Sequence, residues 1–127
     1  MKKIQIRVGD LLISGSLRDS QLATKIWESL PFQGVANTWG FEIYFPIPVT
    51  AELEFPTKQV ALGDLAYWPS GSALCLFFGR TPISVTEDKI KPASEVEIIG
   101  EMTGDFTKLK EIGPGKIVRV ERATDQY

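Results

Sequence analysis

From Pro31 to Gly115 the sequence is interrupted every few residues by glycine, proline, asparagine or aspartate. Segments this short suit β-strands, because an average strand has about 5 to 6 residues and an average helix about 11. The interrupting residues are those that form turns between antiparallel strands. The chain is therefore predicted to be all-β, a barrel or a sandwich of short strands, and we favour a closed barrel.

Alternating apolar and polar residues locate the first strand. In residues 3–8, Ile4, Ile6 and Val8 fall on one face and polar side chains on the other, which is typical of a half-buried strand. Gly9 then begins a turn signal. Turns are also predicted at positions 37–38, 63–64, 69–71 and 113–115. The predicted strands are 3–8, 11–17, 42–47, 50–54, 58–62, 64–68, 73–78, 95–103 and 116–122.

A single short helix is predicted over residues 20–29. Apolar side chains recur at helical spacing from Leu22 to Leu30, so they form one stripe. Ser20 or the aspartate before it can cap the first turn with a side-chain oxygen. Pro31 ends the helix, because the residue before a proline avoids helical geometry. We expect this helix to lie on a sheet or to plug one end of a barrel.

Length and charge set the class of protein. The 127 residues are predicted to form one domain, 1–127. A net charge of −2 without basic clusters argues against nucleic acid as a partner. No apolar run reaches the roughly 18 residues of a membrane helix, and the single cysteine fits a reducing compartment. We therefore expect a cytoplasmic protein with no membrane partner, and leave its oligomeric state open.

The absence of histidine narrows the chemistry. It excludes Ser-His-Asp and Cys-His arrangements and histidine-bound metal sites. Phosphate-binding glycine motifs are also absent, so neither metal nor cofactor is expected. Carboxylate chemistry remains, and Glu42, Glu52 and Glu54 have equal parity on predicted strands and would share one face. A carboxylate pair for acid–base chemistry would need one member in an apolar pocket.

One predicted strand, 73–78, is apolar at every position. Such a run indicates burial on both faces, whereas an antiparallel strand usually has one wet face. We expect it to pack inward on a barrel core and outward under the helix or a long loop. Cys75, in its middle, is interpreted as a small core residue. The polar segment 80–94 that follows is predicted to be a surface loop or a flexible flap.

Aromatic residues are concentrated in the middle of the chain. Several carry an N–H or O–H that needs a partner when buried, and Trp39 and Trp68 lie beside turns, where rings can line a groove. Arg80 directly follows the buried strand and could hold a carboxylate or carbonyl. We therefore predict a groove for a peptide or small ligand. Its candidate residues are Trp39, Glu42, Tyr44, Tyr67, Trp68, Phe77 and Arg80.

Three segments carry a family resemblance: NTWGFEIYFPIPV (37–49), LGDLAYWPSGSALCLFFGRTP (62–82) and PASEVEIIGEMTGD (92–105). Together they resemble the small prokaryotic cyclophilin-like proteins, over nearly the whole chain. The resemblance implies a closed, eight-stranded antiparallel β-barrel of the cyclophilin type. It does not imply a biochemical role, since this group has no assigned function.

The name of the family suggests peptidyl-prolyl isomerase activity. True cyclophilins use an arginine in an F-H-R strand and a following F-x-x-Q-G strand, and this sequence has no F-H-R. The hypothesis we favour is a non-catalytic binding domain. One alternative is a divergent isomerase of low efficiency that uses Arg80. A second alternative is a carboxylate-dependent hydrolase or lyase acting on a small metabolite.

Overall fold

A computed structural model describes residues 2–123, whose strands form one antiparallel sheet. Two short 3-10 turns, Pro69–Gly71 and Thr107–Glu111, lie between strands. The strands and the helix are β1 (Lys2–Val8), β2 (Leu11–Leu17), α1 (Gln21–Ser29), β3 (Phe32–Val35), β4 (Asn37–Thr38), β5 (Glu42–Pro46), β6 (Asp64–Trp68), β7 (Ala73–Phe77), β8 (Glu97–Met102) and β9 (Ile117–Arg122).

The sheet curls into a nearly closed barrel, in the strand order β3-β9-β1-β2-β8-β6-β7-β5-β4. The two edge strands of this order, β3 and β4, follow each other directly in sequence. At one edge β3 pairs with β9, and at the other β4 pairs with β5. Between them, the N–H of Ala36 donates to the carbonyl of Lys116 at 2.8 Å. The segment 32–38 therefore bridges both edges. The predicted antiparallel barrel is confirmed, but the described residues form nine strands instead of eight, because this bridging segment is divided at Ala36.

The first hairpin follows the predicted alternation. Ile6 of β1 lies opposite Ile13 of β2, and both are buried. Gly9 adopts a positive φ of 59° in the turn between them, a conformation that glycine accepts without steric cost. The prediction of strands at 3–8 and 11–17 is confirmed.

The predicted helix is also confirmed, and Ser20 is its cap. The Ser20 hydroxyl oxygen accepts a hydrogen bond from the N–H of Ala23 at 3.2 Å, which satisfies one free donor of the first turn. Leu22, Ala23 and Ile26 are buried against the barrel core. No helix in residues 2–123 has the length and apolar character that crossing a bilayer requires.

Two predicted strands are wrong. Residues 50–54 and 58–62 are loops; the isolated bridge Val60–Ile90 joins the second of them to the 78–96 loop, and the bridge Thr57–Val96 lies between the two. Side chains satisfy part of the loop backbone instead: the carboxylate of Glu97 accepts hydrogen bonds from two consecutive N–H groups, at 2.7 and 3.0 Å. Conversely, positions 37–38, predicted as a turn, form β4.

Strand β7 is buried at all five positions, as predicted. Its alternate side chains enter two clusters. Leu74 and Leu76 belong to the inner cluster, which fills the barrel with residues of the surrounding strands and α1. Cys75 and Phe77 belong to the outer cluster. The outer cluster is covered by loops and not by the helix, and it comprises Val60, Ala66, Cys75, Phe77, Ile90 and Val96, with Tyr44, Trp68 and Ile98 packed against it.

Candidate functional site

A cavity of about 150 Å³ opens at the edge of the outer cluster. Its floor and walls come from the β4–β5 turn, from β5 and β6, and from the loop 78–96, which joins β7 to β8 and is here called the covering loop. The residues that line it are Trp39, Glu42, Tyr44, Trp68, Pro92, Ala93 and Val96.

Strand parity places these side chains on one face. In β5, Ile43 and Phe45 belong to the inner cluster, so Glu42 and Tyr44 point to the opposite side of the sheet. Trp39 faces Glu42 across the turn: the N–H of Trp39 donates to the Glu42 carbonyl at 2.9 Å, and the reverse bond is 3.2 Å. Because a directly opposed pair shares a face, Trp39 joins the site.

Two rings form adjacent walls of the cavity. The Tyr44 and Trp68 rings have centroids 5.9 Å apart and meet edge to face at 78°. Both are half-buried, so part of each ring is open to the solvent or to a ligand. The Trp68 indole N–H donates to the hydroxyl of Ser94 at 2.6 Å, which ties the ring to the covering loop.

Glu42 is the charged group of the site. It is 5% exposed, and its burial raises the pKa from an ordinary 4.5 to about 7, while a hydrogen bond with the Cys75 thiol opposes part of this rise. Near neutral pH the carboxyl group is therefore present in both its protonated and its ionised form. Burial, and then the neighbouring Glu42, raise the pKa of the Cys75 thiol well above its ordinary value. A protonated thiol is a poor nucleophile, so Cys75 serves as a hydrogen-bond donor.

The covering loop is tied at its base by two buried hydroxyls. Thr81 donates from its hydroxyl to the carbonyl of Lys91 at 2.6 Å. The Ser84 hydroxyl oxygen accepts from the N–H groups of Thr81 and Lys91, at 3.1 and 3.0 Å. These bonds close the loop on itself just before Pro92 and so fix the wall of the cavity. The predicted segment 80–94 is thus a loop with an exposed tip and a tied base.

Four of the seven predicted site residues line the cavity: Trp39, Glu42, Tyr44 and Trp68. Tyr67 does not, because it is fully buried in the inner cluster on the other face of β6. Its hydroxyl donates to the Val49 carbonyl at 2.7 Å and accepts from an N–H of the same loop at 3.3 Å.

Phe77 and Arg80 also lie outside the cavity lining. Phe77 is fully buried in the outer cluster. Arg80 is exposed, and its guanidinium donates to the Ser84 carbonyl at 3.4 Å. The predicted common face of Glu42, Glu52 and Glu54 is wrong, since the last two are exposed on the 50–54 loop while Glu42 is buried.

Sequence reasoning missed the loop side of the site. Pro92, Ala93 and Val96 carry no chemical signal, and besides the hydrogen bonds at the base of the covering loop they are held by a bridge of Val96 with Thr57, far away in sequence. The polar contact between Glu42 and Cys75 was also missed, although both occupy the face opposite the inner cluster. In residues 2–123, no group of three or more His, Cys, Asp or Glu side chains is arranged to hold a metal ion.

Comparison with known proteins identifies the fold family. A family model described as cyclophilin-like matches residues 2–121. The solution structure of a hypothetical protein from Archaeoglobus fulgidus is similar to this chain, with a TM-score of 0.81 and 40% sequence identity over 96% of this chain and 95% of the other. No curated protein matches the chain. The family resemblance predicted from the three sequence segments is confirmed, and the chain belongs to the cyclophilin-like family.

Proposed function

We propose that this protein is a binding domain that receives one small group of a peptide or small molecule in the cavity beside Glu42, without covalent chemistry. The volume supports this size of ligand group. Sites that enclose a whole drug-sized ligand measure roughly 300–1,000 Å³, and this cavity measures about 150 Å³. It is suited to one side chain or one head group, with the rest of the ligand lying outside.

The observation that carries the proposal is the buried carboxyl group of Glu42 among half-exposed rings. Burying an ionisable group in apolar surroundings costs stability, and its raised pKa reflects that cost. A group kept in place at such a cost is characteristic of functional sites. Tyr44 and Trp68 add partly open aromatic surface, which proteins use widely to anchor ligands.

The two alternatives have weaker support. An isomerase that uses Arg80 would need its guanidinium over the bound amide, and Arg80 lies outside the cavity lining. A carboxylate-dependent hydrolase would use a second carboxyl group, and Glu42 is the one carboxyl residue in the lining. Neither alternative explains the open faces of the rings.

The three tryptophans provide a direct test. The protein is titrated with N-acetylated X-Pro dipeptide amides and with small amines, and the three indole N–H signals are followed by ¹H–¹⁵N NMR. We expect the Trp39 and Trp68 signals to move together and saturate. Trp27 is an internal control, because its ring lies under the Arg122 guanidinium, 4.5 Å from the ring centroid, away from the cavity.

The outcomes separate the hypotheses. If no probe moves the Trp39 and Trp68 signals, or if Trp27 moves equally, the binding proposal is refuted. An exchange measurement on the same X-Pro peptides tests the isomerase alternative. Acceleration that disappears in Arg80→Ala would favour catalysis over simple binding, whereas binding with unchanged exchange rates supports the proposal.

A further inference from the structure

We infer that the group received by this cavity is a small alkylammonium head group, which Trp39, Tyr44 and Trp68 surround and the Glu42 carboxylate neutralises. This inference rests on the proposed binding function and specifies its ligand class. It follows from the arrangement of the rings and from the charge of the lining, in a cavity of about 150 Å³.

The arrangement of the rings is that of a partial aromatic box. Tyr44 and Trp68 meet at 78°, so they present two walls at nearly a right angle. Trp39 enters from the opposite side of the β4–β5 turn. A cation within about 6 Å of a ring centroid is attracted by the electrons of the ring, and several rings around one ammonium group form the cages that bind quaternary ammonium ligands.

The charge of the lining selects for a cation. Glu42 is the charged side chain of the cavity, and the other lining residues are aromatic or apolar. An anionic group would be repelled by Glu42 and would find no basic partner. A neutral apolar group would exclude water and leave the ionised carboxylate without a counter-charge, which is unfavourable. An ammonium group alone uses both the rings and the carboxylate.

Elsewhere the chain supplies its own cations to aromatic rings. The Arg122 guanidinium lies 4.5 Å from the Trp27 ring centroid, and the Lys110 ammonium lies 5.0 Å from that of Phe41. Neither of these rings lines the cavity. The cavity offers the ring faces that such pairs use and adds the carboxylate of Glu42, in a concave site open to an external cation.

The test uses two probes of the same shape. Choline carries a trimethylammonium group, and 3,3-dimethylbutan-1-ol carries the uncharged tert-butyl equivalent. Binding to the intact protein is followed through the Trp39 and Trp68 indole signals and by calorimetry. At pH 8 we expect choline to bind at least fivefold more tightly than the alcohol, because the charge adds attraction to both the rings and Glu42.

The pH dependence gives a second readout. The other titratable groups near Glu42 are the Cys75 thiol on β7, which stays protonated, and Tyr44 on its own strand; the lining residues from β6 and the covering loop have none. Because Glu42 has a pKa of about 7, choline affinity should fall up to tenfold for each pH unit below 7. Affinity for the neutral alcohol should not fall in that range.

The Glu42→Gln variant provides the matched control. It keeps the rings and the shape of the side chain but removes the carboxylate, so its preference for choline over the alcohol should shrink to the part that the rings supply, with no pH dependence between 6 and 8. Arg122→Gln, which changes a ring–cation pair outside the cavity, should leave choline affinity unchanged. Dispersed ¹H–¹⁵N spectra verify that each variant is folded.

The wild-type comparison decides the inference without any variant. Equal or tighter binding of the alcohol at pH 8 overturns the ammonium assignment but leaves the binding function in place. The same holds if X-Pro dipeptides move the cavity indoles and choline does not. If choline, alcohol and dipeptides all leave those signals unmoved, both the assignment and the binding function are refuted.

Discussion

The two faces of β7 are equally buried but in different ways. On the inner face, Leu74 and Leu76 are enclosed by the strands of the barrel itself and by α1. On the outer face, Cys75 and Phe77 are covered by loop segments around Val60 and in 90–96. Burial on the inner face results from closure of the sheet. Burial on the outer face depends on the contacts that hold the loops against it.

Because of this difference, we assign stability to the inner face of the sheet and ligand binding to the outer face. The inner cluster contains the polar hydroxyl group of Tyr67. This hydroxyl donates one hydrogen bond and accepts another, so both of its roles are satisfied. The outer cluster instead borders a buried carboxyl group with a raised pKa and two half-open rings. A core optimised for stability alone would exclude both features, so the outer face is where the fold has room for a ligand.

The largest expected effect tests whether the strands enclose the inner cluster more rigidly than the loops enclose the outer cluster. Ile99 of the inner cluster and Ile90 of the outer cluster are both 0% exposed. Truncation of a buried isoleucine to alanine costs about 2–5 kcal/mol, and the cost grows with the cavity that remains. We expect Ile99→Ala to lose about 4 kcal/mol, because the closed barrel cannot collapse around the gap. Ile90→Ala should lose about 2 kcal/mol, because a loop can settle into it.

Urea denaturation followed by tryptophan fluorescence measures both free energies of unfolding. Equal losses in the two variants would mean that the covering loop is packed as rigidly as the barrel, and the proposed contrast between the clusters would be lost.

The next effect concerns Glu42. Its pKa is about 7 in the folded chain and 4.5 in the unfolded chain, so between these values the folded state binds more protons and stability decreases as pH rises. Over this range the free energy of unfolding decreases by about 3 kcal/mol in total, because each unit of pKa difference corresponds to about 1.36 kcal/mol. Glu42→Gln resembles the protonated form, so it should be more stable than the parent by up to about 3 kcal/mol at pH 8. At pH 4 the two should be alike.

Thermal and urea unfolding at pH 4, 6 and 8 measures this difference, with exposed Glu52→Gln as the control that should show no such trend. Asp64 also has a pKa raised by burial, so the parent curve contains its contribution, but the difference between parent and Glu42→Gln removes it. A Glu42→Gln protein that is less stable at pH 8 would mean that the ionised carboxylate is stabilised in the fold, contrary to our interpretation.

The sequence predicted much of the barrel because its signals were local. The alternation in β1, the helical stripe after Ser20 and the continuous apolar run of β7 each depend on a few adjacent residues. The closing segment 32–38 was missed because one of its partners, β9, is distant in sequence, and because Asn37 in β4 is a residue type that favours turns.

The site was predicted in part for the same reason. Strand parity could have placed Glu42 and Tyr44 together, and it could also have excluded Tyr67, which is adjacent to Trp68 and must point to the other face. The loop wall could not be predicted, since its position depends on the buried hydrogen bonds of Thr81 and Ser84, which no local pattern announces.

The smallest expected effects compare Tyr67 and Trp68, which are adjacent on β6 and point to opposite faces of the sheet. Tyr67→Phe removes a buried hydroxyl that has two partners in the 49–51 backbone, so we expect a loss of about 1–2 kcal/mol of stability and unchanged affinity for the cavity probe. Trp68→Phe removes a hydrogen bond to the exposed Ser94 and replaces the indole that forms one wall of the cavity with a smaller ring. It should cost less than about 1 kcal/mol in stability yet weaken probe binding several-fold. If Tyr67→Phe weakened binding as much as Trp68→Phe, the two faces would be coupled, and the inner cluster would have to be counted as part of the site.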